Sequence, residues 1–137
     1  MPKTTVTNQE LVDLANGLHG VKDLKGVSFA LVVAKNTETI KKELQHIDDA
    51  SQPTAEFLGV ASQIQALSKE EGKEEEIKAL EKANEHLTEE RLKQLEEIKE
   101  VLLEETTVNI HTIYSNKLPQ DITADQIMKI NKIIIEN

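Results

Sequence analysis

Val27-Ser28-Phe29-Ala30-Leu31-Val32-Val33-Ala34 is the stretch on which the fold class turns. A short apolar run rich in valine reads equally well as a buried strand or as one side of a helix, and so short a window does not separate the two. The residues that follow do. Phe29, Val33, Ile40, Leu44 and Ile47 fall at spacings of four, seven, four and three, which one helical face accommodates without interruption. The spacing predicts a helix over 27–49 and, with it, a mainly α protein that is α+β in detail.

Toward the N-terminus, Thr7-Asn8-Gln9-Glu10 has the form of a capping box, a hydroxyl three residues ahead of a glutamate that can return the hydrogen bond. Val6 and Leu11 sit at the positions of a hydrophobic staple, and Leu11, Leu14, Ala15 and Leu18 form one face. A helix over about 8–18 is expected, ending near Gly17 or Gly20, with a turn at Lys22–Gly26. On the other side, Ser51-Gln52-Pro53 is a break, because proline suits the first turn of a new helix and not the interior of an old one. Phe57, Val60, Ala61, Ile64 and Leu67 then repeat at helical spacing up to Gly72. Gly59 weakens that helix by about 1 kcal/mol relative to alanine, so another element is expected to pack closely there.

From Lys69 to Glu105 the composition changes to Glu, Lys, Leu and Ala, with fourteen acids against seven bases. Ile77, Leu80, Ala83 and Leu87 make one stripe and Leu92, Leu95, Ile98 and Leu102 another, supported by the i,i+4 pairs Glu74/Lys78 and Glu89/Lys93. A long Glu/Lys-rich helical hairpin or arm is expected. It is either one helix over 74–105, roughly 48 Å long at 1.5 Å per residue, or two, the second capped by Thr88. Antiparallel pairing with the 27–49 helix would bury the stripe; a coiled coil needs more sustained heptads than are present.

Thr106–Tyr114 is rich in β-branched residues and alternates at Val108, Ile110 and Thr112, which predicts one short β element near 106–114. Its mate must be Thr4-Thr5-Val6, residues 27–33 if those are extended after all, or another subunit. Leu118-Pro119-Gln120-Asp121 is a turn, and Thr123-Ala124-Asp125-Gln126 is a second capping box with Ile122 and Ile127 as its staple. A C-terminal helix over about 124–135 is expected to bury Ile127, Ile130, Ile134 and Met128. The whole of 1–137 reads as a single domain, with 69–105 as a protruding helical segment.

Composition narrows the function. Hydrophobic residues are 38% of the chain and charged residues 30%, the profile of a soluble, folded protein, while aromatics are only 2%: Phe29, Phe57 and Tyr114. The absence of cysteine removes disulfides, thiolate metal sites and cysteine nucleophiles. The beginning of the chain has no signal-like apolar region, and nothing approaches the ~18 uninterrupted apolar residues of a membrane span. With a formal charge of −9 and Arg91 as its only arginine, the chain is poorly suited to direct nucleic-acid binding.

Catalytic and cofactor patterns are missing as well. His19, His46, His86 and His111 form no ligand pair, and Glu43-Leu44-Gln45-His46 is a single Glu-x-x-His where a di-iron bundle needs two such motifs and two further carboxylates. The five glycines build no phosphate loop and the serines no nucleophile elbow. No enzyme activity and no cofactor or metal are expected.

Two regions resemble a family of small uncharacterised proteins of bacteriophages and prophages of Gram-positive bacteria. In the first, Leu24-Lys25-Gly26-Val27 leads into Ala34-Lys35-Asn36, with Ile40 and Glu43 following at helical spacing. In the second, Val108-Asn109-Ile110-His111-Thr112-Ile113 precedes Leu118–Gln126 and the final Ile-rich helix. Together they cover about a third of the chain. The resemblance implies a viral origin, a helical fold with a short β element, and no catalytic residue. The expected function is a non-catalytic phage-type structural or accessory protein acting through helix-mediated contacts, with itself as a homo-oligomer or with a protein partner, in the host cytoplasm or the virion. Leu92, Leu95, Ile98 and Leu102 are the candidate contact residues, with burial inside the monomer as the stripe's other use. The alternative is an acidic inhibitor that imitates nucleic acid and binds a host defence or transcription protein through Glu74, Glu75 and Glu76.

Overall fold

The computed structural model describes residues 3–136. The chain divides into two compact units, one formed by Met1–Ile47 with Val101–Asn137 and the other by Asp48–Glu100.

In the first unit, β1 (Lys3–Thr7) leads directly into α1 (Asn8–Gly20) through Thr7, whose hydroxyl accepts from the Glu10 amide at 3.1 Å while the Glu10 carboxylate accepts from the Thr7 amide at 3.0 Å. The capping box is therefore real, and it fixes the angle at which strand becomes helix. Strand β1 pairs antiparallel with β2 (Glu105–Asn109), Thr4 opposite Val108 and Val6 opposite Thr106. The mate of the predicted β element is thus the N-terminal segment. On the inward face Val6 and Val108 are buried; on the outward face the Thr5 and Thr107 hydroxyls lie 3.1 Å apart. The strand junction is also held to the end of α5 (Glu85–Leu103), because the Asn8 amide donates to the Glu104 carbonyl and its side chain to the Val101 carbonyl.

Residues 27–33 are helical, part of α2 (Val27–Ala50), which begins after Gly26 at φ 128°. Its buried positions are Phe29, Val33, Asn36 and Ile40, so the seven-residue gap in the apolar face is filled by a polar side chain. The three apolar ones pack with Leu11, Leu14, Leu18, Val21, Ile110, Ile113, Ile130 and Ile133 into one core.

Three expectations for this unit need correction. The β element does not run unbroken from 106 to 114: β2 stops at Asn109, and β3 (Ile113–Tyr114) pairs parallel with β4 (Ile134–Ile135) instead. The C-terminal helix does not reach 135, because α6 (Ala124–Lys129) gives way to a 3₁₀ turn at Asn131–Ile133 and then to β4. Three successive isoleucines favour extended backbone, and the turn lets Ile130 and Ile133 both be fully buried. Met128 is 72% exposed rather than buried. Of the two glycines at which α1 is expected to end, Gly20 is its last residue and Gly17 is not. It lies inside α1 where a Cβ would meet the Lys129 carbonyl oxygen at 2.6 Å, so its missing side chain is what lets α6 approach.

The second unit is helical throughout its regular elements. Thr54 caps α3 (Ala55–Ser68) by accepting from the Phe57 amide at 3.1 Å, which places Pro53 just ahead of the cap. The Glu/Lys-rich stretch is two helices, α4 (Glu74–Ala83) and α5, and the break falls at Asn84 rather than at Thr88. Asn84 turns its side-chain amide back onto the Leu80 carbonyl at 2.9 Å, and its carbonyl receives the Leu87 amide at 3.0 Å. That local competition with the helix ladder is what asparagine does well. Among the described residues there are thus six α-helices and two small two-stranded sheets, a mainly α protein with a few short β elements.

Candidate interaction surface

Amphipathic helices bury their apolar faces, and in Asp48–Glu100 the burial is incomplete. Phe57, Val60, Ile64 and Leu67 of α3 and Ile77 and Leu80 of α4 are all half-buried; among the described residues of this unit, Leu87 alone is buried. Helices α3 and α4 pack against each other and leave between them a shallow, open groove lined by Gln63, Ala66, Leu67, Glu76, Ala79, Leu80 and Ala83. Apart from Gln63 and Glu76 the lining is aliphatic. Gly59 does not mark a close approach, since nothing lies within 4 Å of where its Cβ would be.

The stripe read on α5 divides. Leu92 is 58% and Leu95 38% exposed, whereas Ile98 and Leu102 are half-buried. The less exposed side of this helix runs instead through Leu87, Arg91, Gln94 and Ile98 at spacings of four, three and four. Arg91 donates to the Ser51 carbonyl at 2.7 Å and to the Gln94 side-chain oxygen at 2.7 Å. Gln94 donates to the carbonyls of Ala50 at 2.7 Å and Gln52 at 3.1 Å. These are carbonyls at and just beyond the end of α2, where helices leave acceptors without intrahelical donors and where a cation is electrostatically favoured. Apolar periodicity passes over these two residues because they are polar; their spacing with Leu87 and Ile98 is the signal that would have found them.

Glu74, Glu75 and Glu76 are exposed in the first turn of α4. The N-cap residue, Lys73, offers no side-chain hydrogen bond to the free amides there, so three carboxylates at the positive end of the helix dipole stabilise it. Lys73 also pairs with Glu76 at 3.2 Å, in an exposed contact of little energetic weight. Glu76 lines the α3–α4 groove, which no member of the α5 stripe lines.

No group of three His, Asp or Glu side chains gathers as a metal site among the described residues; Glu43 and His46 lie exposed along α2. No helix of the described residues is long and apolar enough to cross a membrane. One carboxylate is strongly perturbed. The Lys132 ammonium, 2.8 Å from the second oxygen of Glu10, together with the Thr7 amide, holds that carboxyl down at about 2 from its ordinary 4.5. Its partners are the capping box and the C-terminal turn, which gives it a structural rather than a chemical task.

Comparison with protein-family models, with curated proteins and with solved structures gives no match to this chain. What fold and surface define together is a class: a mainly α protein whose distinctive feature is incompletely covered helices.

Proposed function

We propose that this is a non-catalytic structural or accessory protein of the bacteriophage type, working through helix-mediated protein contacts in the host cytoplasm or the virion. The observation that carries the reading is the half-burial of the apolar faces in Asp48–Glu100, with Leu58, Leu92 and Leu95 exposed beside them. Apolar surface left on paired helices is stabilised when a protein surface covers it. The viral origin rests on the resemblance of residues 24–43 and 108–126. The test is association: sedimentation of the purified full chain, together with its recovery in particles or in defined complexes from infected cells. A strict monomer found in neither would overturn the proposal.

A second reading, an acidic inhibitor of a host defence or transcription protein, draws on charge distribution. Asp48–Glu100 holds fifteen acids and seven bases, nearly the whole of the chain's −9. Binding to a basic partner would then weaken with salt. Reversing the charges of Glu74, Glu75 and Glu76 with no loss of such binding would dispose of it. The helix-dipole role of those three carboxylates already accounts for their position, so the contact reading is the stronger.

A further inference from the structure

The helical hairpin of α3 and α4 is built without an interior. Neither helix has a buried residue, and from Ser51 to His86 every residue is half-buried or exposed. All members of the hydrophobic core lie in the other unit. Helices of 14 and 10 residues are marginal by themselves, because isolated helices shorter than roughly 12–15 residues barely hold together in water and depend on tertiary packing. The packing available to these two is that of α3 against α4, and it leaves Val60, Ile64, Leu67, Ile77 and Leu80 only half-buried. Helix α3 has little else to draw on. From Phe57 to Ser68 there is no charged residue, so ion pairs along the helix are lacking, and Gly59 weakens its interior.

We propose that the α3–α4 hairpin is a conformational device: its two helices melt and re-form as one unit while the core of Met1–Ile47 with Val101–Asn137 stays folded. Local opening occurs where buried apolar contact is scarce, at a free-energy cost well below that of global unfolding. Both ends of the opening segment are fixed. Just ahead of α3, Arg91 and Gln94 hold the carbonyls of Ala50, Ser51 and Gln52. Just after α4, the helix ladder is already interrupted at Asn84, and Leu87, three residues on, is buried. Helix α4 can therefore unwind without carrying α5 with it, and opening stops at Pro53 on one side and Asn84 on the other. When the hairpin opens, the uncharged stretch Phe57–Ser68 is released from α4 in one piece, and the core is left as it was. The inference rests on burial alone and does not require that the protein work through contacts.

The test is native-state hydrogen exchange of the full chain, read amide by amide by NMR and corrected for intrinsic rates. Amides from Val60 to Leu67 and from Ile77 to Ala83 are expected to exchange about 100-fold or more faster than the slowest amides of α1 and α2. Ile133→Val removes a methyl group from a fully buried core position. It should quicken the slow amides of α1 and α2 by about 2- to 10-fold and leave the hairpin amides unchanged, because the core is intact when the hairpin opens. Gly59→Ala adds a Cβ with nothing within 4 Å of it. It should slow the hairpin amides by about 5-fold, because the helix it favours is the one that melts. Hairpin amides as slow as those of the core overturn the proposal. So does an equal response of both sets to Ile133→Val, or no response of the hairpin to Gly59→Ala. Association of the chain is a separate measurement, so failure here and failure of the contact reading are told apart.

Discussion

Asn36 and His111 exchange two hydrogen bonds: the Asn36 amide nitrogen donates to the His111 carbonyl at 2.8 Å, and the His111 amide donates to the Asn36 side-chain oxygen at 2.8 Å. Asn36 is fully buried. Its carboxamide imitates the edge of a neighbouring strand, satisfying backbone groups at the point where β2 has ended and β3 has not begun. The imidazole of His111 takes no part, so the interaction makes no demand on that side chain.

Replacing Asn36 by alanine would leave the His111 amide and carbonyl without these partners, at about 1–3 kcal/mol for each group that water cannot reach. Asn36→Asp should be worse near neutral pH, because a carboxylate oxygen would face the His111 carbonyl. It should recover in part as the pH falls and the acid can donate. Urea unfolding of the full chain across pH checks both; equal stability of wild type and Asn36→Ala would refute the role assigned to the pair.

Gly17→Ala sets a Cβ against the Lys129 carbonyl at 2.6 Å, and the obstacle is backbone. A loss of about 1–3 kcal/mol from overpacking should outweigh the gain of about 1 kcal/mol in helix propensity. Gly20→Ala is the contrast, since nothing lies within 4 Å of that Cβ. Thermal melts should rank Gly20→Ala at or above wild type and Gly17→Ala clearly below it.

The Glu10–Lys132 pair predicts an acid-side dependence of stability. Because the Glu10 pKa is lowered on folding, from 4.5 to about 2, its contribution is complete above the unfolded value and is lost as pH falls from there through the folded one. Lys132→Met should bring the carboxyl back up toward its ordinary range. An NMR titration of the Glu10 side chain reads this directly, and an unchanged midpoint in the variant would show that Lys132 is not the main cause.

Arg91 and Gln94 should stabilise the segment after α2. Gln94→Ala removes donors to the Ala50 and Gln52 carbonyls and should cost about 1 kcal/mol; Arg91→Met, which loses charge-assisted bonds, should cost about 1.5–3 kcal/mol. Amide exchange at Ser51 and Gln52, whose N–H groups bond the Asp48 and Asp49 carbonyls, should quicken in both variants. Unaltered exchange would mean that these side chains do not order the turn.

Elements with a local cause are legible in the chain of residues alone. Both capping boxes, the Thr7 start of α1, the helical reading of Val27–Ala34 and the helices on either side of residue 84 follow from short-range hydrogen bonding and from apolar spacing, which act within a few residues. Long-range packing settles the rest. Which of three candidates pairs with β2 and why Gly17 must lack a side chain depend on residues about a hundred positions apart meeting in space, and the strand that follows α6 pairs with Ile113–Tyr114, well upstream of it. The inward side of α5 is hidden from apolar spacing for a related reason: Arg91 and Gln94 are directed by carbonyls some forty residues away, and hydrophobicity assigns such side chains to solvent. The contact surface is half legible. The lack of charge on α3 is written in its residues, but its apolar face is seen to stay open only once α4 has packed against it and left the remainder uncovered.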